Sequence, residues 1–191
     1  GDGWACCTDS YRLAAVQVAD MPPCIVPAHT LELVSKSSNG DIDMAVEDTR
    51  ATFYADRSTW STRLIAGTYP TWQNLAPTDT TTFLEVDADL LLEALERVMP
   101  LLTESNRPVI ISADGDKIML AARSQDVGDA TERLAGTYPL AEPLGLNPIF
   151  LADMVKASGP GMFRLAVNGV SKPAVVRTDT SMSLLMPVRT S

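Results

Sequence analysis

Ala66-Gly67-Thr68-Tyr69-Pro70 recurs, residue for residue, as Ala135-Gly136-Thr137-Tyr138-Pro139, each time after an Arg-Leu pair, Arg63-Leu64 and Arg133-Leu134. An identity of this kind inside one chain marks a repeated unit, and the repeat sets the architecture before any single element is read. Working outward, Val26-Pro27 through Leu64 and Asn147-Pro148 through Val188 share one order. Each runs proline, helical pattern with Lys36 or Lys156 near its end, glycine-containing stop, then three alternating segments. Ala45-Val46 and Ala166-Val167 fall at the same offset from Pro27 and Pro148. The unit is strand, helix, three strands, and it predicts an α+β fold of antiparallel sheets with helices on one face.

Residues 24–65, 81–135 and 144–188 each supply such a unit, and residues 1–18 supply the closing strands of a fourth. Strands are expected at 3–8 and 11–18 around the Asp9-Ser10 turn, with a short buried strand at Cys24-Ile25-Val26. Alternation predicts strands at 42–46, 51–55 and 60–65, then 83–86, 109–112, 117–122 and 129–135. The Asp114-Gly115 pair reads as a hairpin turn. Leu91, Leu95, Val98 and Leu102 recur at helical spacing, with Asp87 or Asp89 as N-cap of a helix over 90–101. Leu144 to Leu146 is a strand, Pro148 opens a helix to Ser158, and strands are expected at 163–167, 174–177 and 183–188. Gly67 to Pro77 has no regular period, and the polar linker Thr78-Asp79-Thr80 marks a boundary between residues 1–79 and 80–191.

The 191 residues are 46% hydrophobic and 20% charged, which suits a globular chain with a sizeable core. A net charge of −9 argues against wholesale nucleic-acid binding but leaves room for a local basic surface. Three cysteines, Cys6, Cys7 and Cys24, make a poor disulfide framework and read as buried small hydrophobes in a reducing, cytoplasmic setting. There is no CxxC, and His29 is the one histidine, so no metal site is expected. No apolar run approaches the roughly 20 residues that span a bilayer. Gly-x-Ser-x-Gly and the P-loop lysine motif are absent, and Gly159-Pro160-Gly161 reads as a helix stop. Asp41/Asp43 and Asp114/Asp116 read as surface acids, so no catalytic residue and no cofactor is expected.

In chain order, Thr8-Asp9-Ser10-Tyr11-Arg12-Leu13, Gly67-Thr68-Tyr69-Pro70 and the closing Leu184-Leu185-Met186-Pro187-Val188-Arg189 resemble the bacterial sliding clamp family, the DNA polymerase III beta subunit. Glu132-Arg133, Asn147-Pro148 and Lys172-Pro173-Ala174 agree with that likeness. The resemblance implies the DNA clamp fold, with residues 1–79 as an N-terminally incomplete middle domain and 80–191 as the C-terminal domain. It implies a non-enzymatic processivity factor whose full-length form is a homodimeric ring around double-stranded DNA. Counting units, this chain by itself is expected not to close a ring.

The resemblance also places a pocket between those domains for short peptides of the replicative polymerase, clamp loader and repair proteins. By position, one wall is Thr8, Ser10, Tyr11, Arg12 and Leu13, with Pro70, Asn74 and Leu75 added by the loop. The far wall is Pro173, Leu184, Met186, Val188 and Arg189. Leu13, Leu75, Leu184, Met186 and Val188 would give an apolar cleft, in which methionine adapts to varied ligands. Arg12 and Arg189 would donate to peptide carbonyls or acidic side chains. Ser10-Tyr11 stands where many clamps carry Gly-His, Asn74 where Arg is common, and Thr71-Trp72 where an Asp-aromatic pair is usual, which touches partner preference. Lys36, Arg97, Arg107, Lys156 and His29 are the cations available to a duplex. Two other readings stay open: a clamp-like decoy, and an α+β small-molecule enzyme that reuses the repeat.

Overall fold

Strand-helix-strand alternation carries through the computed structural model, which describes residues 3–18, 21–77, 81–102, 108–124 and 126–189. In chain order the elements are β1 (Trp4–Thr8), β2 (Arg12–Gln17), α1 (Ala28–Ser37), β3 (Asp43–Glu47), β4 (Arg50–Ala55), β5 (Ser58–Arg63) and β6 (Phe83–Asp87). They continue with α2 (Ala88–Val98), β7 (Val109–Asp114), β8 (Lys117–Ser124), β9 (Gly128–Thr137), β10 (Leu144–Leu146), α3 (Pro148–Ser158), β11 (Met162–Ala166), β12 (Ala174–Arg177) and β13 (Ser181–Leu185). The chain divides into two units, Gly1–Cys7 with Gln17–Trp72, and Thr8–Val16 with Gln73–Ser191.

The second unit contains two complete copies of the repeat, and neither closes its own sheet. The strand order is β2-β13-β12-β11-β6-β9-β8-β7-β10. The opening strand of one copy, β6, pairs with the first strand after the other copy's helix, Val86 opposite Phe163. Reciprocally β10 pairs with β7, Leu146 opposite Val109. The two copies thus satisfy each other's backbone edges by exchange.

Their helices start the same way. The Asp87 carboxylate accepts from the N–H groups of Asp89 and Leu90, and the Asn147 carbonyl oxygen from those of Ile149 and Phe150. On α2, Leu91, Ala94, Leu95 and Val98 are buried at helical spacing, and on α3 Leu151, Ala152, Met154 and Val155 are. These faces meet Leu84, Val86, Ile111, Ile118, Leu120, Leu165 and Leu185 from the sheet in one core.

The first unit carries one copy, α1 against the sheet β3-β4-β5. Its core is smaller: Val34, Ala51 and Phe53, flanked by half-buried Val26, Ile42, Met44, Trp60 and Leu64. Helix α1 begins at Pro27 without a side-chain cap. The buried Thr30 hydroxyl reaches Thr62 Oγ1 at 3.2 Å, while the buried Trp60 Nε1 has no partner among the described residues.

Several local expectations are corrected. Cys24–Val26 forms no strand, although the Ile65 N–H donates to the Ile25 carbonyl at 2.9 Å. Pro22, Pro23 and Pro27 bracket the segment and remove donors from a ladder. The helix expected over 90–101 runs 88–98 and tightens to a 3-10 turn at Met99–Leu101, where Pro100 lacks the N–H of an α-helix. The last strand ends at Leu185 rather than Val188, before Pro187. The loop after Gly67 contains a 3-10 turn, Trp72–Leu75. Nor are the cysteines core residues: all are free, Cys7 is exposed, and Cys6 and Cys24 are half-buried with thiols pushed up by burial. Thr78-Asp79-Thr80 lies outside the described residues.

The repeated pentapeptide adopts two structures. Residues 135–137 end β9, with Val86 opposite Gly136 and Glu85 opposite Thr137. A Cβ on Gly136 would stand 2.4 Å from the Glu85 carbonyl oxygen and 2.7 Å from Ile118 Cδ1. Residues 66–70 form no strand, and Gly67 sits at φ 147° with open space around it.

Candidate functional site

Within the second unit the turn after β1 is built by Asp9. Its Oδ1 accepts from the N–H groups of Tyr11 at 3.0 Å and Arg12 at 2.9 Å, an arrangement that the short Asp side chain reaches easily. Thr8 Oγ1 donates to the Arg12 carbonyl at 2.7 Å and accepts from the Ser10 N–H. Ser10 takes φ 74°, a left-handed conformation in which a side chain costs about 1 kcal/mol. Partial burial raises the Asp9 carboxyl, but the Tyr11 and Arg12 donors outweigh it and hold it below its ordinary value.

The next strand carries this turn to the end of the chain. In the β2–β13 ladder Leu13 stands opposite Leu184 and Arg12 opposite Leu185. Beyond β13 the tail stays tied: Met186 N–H donates to the Tyr11 carbonyl at 2.8 Å, and Val188 N–H to the Gly145 carbonyl at 2.9 Å. The edge strand β10 thereby gains a backbone partner, and the tail runs from the Tyr11 turn to the start of α3. Ala174 opposes Leu185, which brings Pro173 to the position beside Met186.

Thr8, Ser10, Tyr11, Arg12, Leu13, Pro173, Leu184, Met186 and Val188 are therefore assembled by one sheet and its tail. Leu13 and Leu184 are both buried and support the surface from beneath, while Tyr11 is 63% exposed and Met186 37%. Val188 and Pro173 are half-buried and Arg189 is exposed. Asn74 and Leu75 are exposed on the 3-10 turn, and Pro70 is exposed in the first unit.

Two residues here escaped sequence reading. The Arg12 guanidinium lies over the Phe150 ring, 4.2 Å from its centroid. Its Nη1 pairs with Asp153 Oδ2 at 2.5 Å and its Nε with Asp9 Oδ2 at 3.0 Å. Phe150 and Asp153 are three apart on α3 and so share a helix face. Their signal was Asn147-Pro148, which sets the helix register, but nothing in the sequence ties that face to Arg12.

Two of the five cations considered for a duplex are paired: Lys36 with Glu32 at 2.6 Å, and Arg97 with Glu132 through Nε at 3.0 Å and Nη2 at 3.1 Å, while His29 is exposed. Lys156 is exposed, and Arg107 lies outside the described residues. A cavity of about 440 Å³ elsewhere in the second unit is lined by Thr81, Thr82, Leu140, Asn168 and Lys172, none of them an expected site residue.

Comparison with known proteins agrees with this fold. The family profile described as DNA polymerase III beta subunit, C-terminal domain, matches residues 73–189. The Bacillus subtilis beta sliding clamp is 27% identical over 96% of this chain and 53% of its own length. The beta sliding clamp homolog GriR of Streptomyces muensis is 30% identical over 95% of this chain and 54% of its own. A sliding clamp from Bartonella birtlesii, solved bound to griselimycin, superposes with TM-score 0.84 at 26% identity, covering 98% of this chain and 54% of that one. The chain spans about half the length of the curated relatives it matches. With its α+β repeat, exchanged strands and closing tail, the chain belongs to the DNA polymerase III beta subunit family.

Proposed function

We propose that this chain docks short peptide segments of its partners on the surface formed by Tyr11, Arg12, Met186, Val188 and Arg189 over buried Leu13 and Leu184. The observation that carries this reading is the β2–β13 register, continued by the Met186–Tyr11 bond, which joins two stretches at opposite ends of the sequence. The surface pairs exposed apolar anchors with arginine donors, the composition from which peptide-binding hot spots are built. Pro70, Asn74, Leu75 and Pro173 are included in the proposed contact set from the resemblance.

In the family plan we assign residues 1–79 to the middle clamp domain and 80–191 to the C-terminal one. The proposed role is that of a non-enzymatic sliding clamp, recruiting the replicative polymerase, clamp loader and repair proteins in the cytoplasm. In the full-length form of the family, a homodimeric ring around double-stranded DNA holds by topology rather than by tight grip, and this chain by itself is expected not to close one. No helix among the described residues is long and apolar enough to cross a membrane.

The test is titration of a labelled peptide of the Gln-plus-apolar type against wild type and an Arg12→Ala, Met186→Ala double variant. Micromolar binding, about −8 kcal/mol, is expected for wild type. A weakening of about tenfold or more is expected in the variant. Equal binding by both proteins would remove the reading.

A further inference from the structure

We propose that Asp153 is a charge filter on this surface: by holding the Arg12 guanidinium, it makes any ligand carboxylate compete for that cation. The inference rests on the peptide-docking reading above.

The geometry sets out a division of labour between two carboxylates. Asp9 Oδ2 holds Arg12 Nε, but Asp9 Oδ1 is committed to the N–H groups of Tyr11 and Arg12, so it cannot leave without undoing the turn. Asp153 comes from α3, and its side chain is 53% exposed against 39% for Arg12. It can swing into solvent on χ1 without disturbing any other bond described for it. The Phe150 ring lies over one face of the guanidinium, so carboxylates reach Arg12 at its N–H donors, and Asp153 holds one of these, Nη1.

Arg12 is thus not a vacant donor. With Asp9 and Asp153 both ionised, its immediate surroundings carry one net negative charge, which disfavours an incoming acid and leaves neutral peptide groups nearly unaffected. Asp153 acts through Arg12 and selects among ligands. The pair is solvent-accessible, so the effect is a modest bias of about two- to five-fold.

The experiment uses two Gln-plus-apolar peptides identical except for Asp or Asn at one internal position, with each internal position tested in turn. Anisotropy gives Kd for wild type, Asp153→Asn, Arg12→Gln and the double variant. Asp153→Asn should improve binding of the Asp peptide relative to the Asn peptide by about two- to five-fold. That gain should disappear in the Arg12→Gln background. Asp153→Ser, which also removes the charge, should repeat the shift. An unchanged ratio, or a shift that persists without Arg12, overturns the filter while leaving peptide docking intact. Failure of folded wild type to bind either peptide removes the docking reading, and the filter with it.

Discussion

The two copies of Ala-Gly-Thr-Tyr-Pro have the same side chains, and an Arg-Leu pair precedes each, with Ile65 interposed before the first copy, yet only one contains a strand. At 135–137 the chain finds β6, whose Glu85 and Val86 supply ladder partners, and Gly136 permits an approach that any Cβ would block. At 66–70 no strand pairs with it, Gly67 turns to φ 147°, and most of the segment is exposed. Local propensity is equal in the two places, so the tertiary partner decides. The tyrosines follow suit: Tyr138 Oη donates to the Glu142 carbonyl at 2.6 Å, while Tyr69 Oη reaches Cys6 Sγ at 4.0 Å.

The sharpest way to break this comparison is to add one methyl to each glycine. Gly136→Ala should cost about 3 kcal/mol or more, because the obstruction is the Glu85 backbone and not a flexible side chain. Gly67→Ala should cost about 1 kcal/mol, from backbone conformation alone. Chemical denaturation midpoints measure both. Equal losses would mean that the two copies are used alike.

The reverse substitution probes another left-handed position, Ser10. Ser10→Gly should stabilise the protein by up to about 1 kcal/mol, because glycine takes φ 74° without the side-chain penalty. Thermal melts would show it as a small rise in Tm. A fall would mean that the Ser10 side chain contributes more than its backbone costs.

Removing the hydroxyls is gentler. Tyr138→Phe should lose about 1 kcal/mol with its short bond, and Tyr69→Phe a few tenths. Burial, aided for Tyr69 by Cys6, pushes both phenols up from 10.0 to about 12. Folding therefore favours the neutral phenols, a contribution intact below pH 10 and lost as pH rises toward 12. Alkaline titration followed by tyrosinate absorbance should show each high transition vanish in the matching Phe variant.

The smallest expected effect belongs to Asp9. Its carboxyl is depressed, so it adds stability above the ordinary carboxylate value of 3.8 and loses it as pH falls through the folded value. The Tm gap between wild type and Asp9→Asn should narrow as pH drops below about 4. A gap independent of pH would assign the turn to geometry alone.

Much of the fold was legible because its signals are local. Asn147-Pro148 announced a helix start, Asp87 or Asp89 a capped helix, Asp114-Gly115 a hairpin, and Leu91, Leu95 and Val98 a buried face. What local signals could not carry was partnership. Cys24–Val26 has strand-like residues but no ladder, and 135–137 became strand only through β6. The site shows the same limit. The stretches around Arg12 and Met186 were visible by resemblance, whereas Phe150 and Asp153 look like routine helix residues until the fold lays Arg12 across them.

The decisive measurement is backbone-amide chemical-shift mapping of the chain during titration with a Gln-plus-apolar peptide. Peptide docking on this surface predicts saturable shifts concentrated at residues 8–13, 145–153 and 184–189. Shifts centred on the cavity of Thr82, Asn168 and Lys172, or none at saturating peptide, would contradict it.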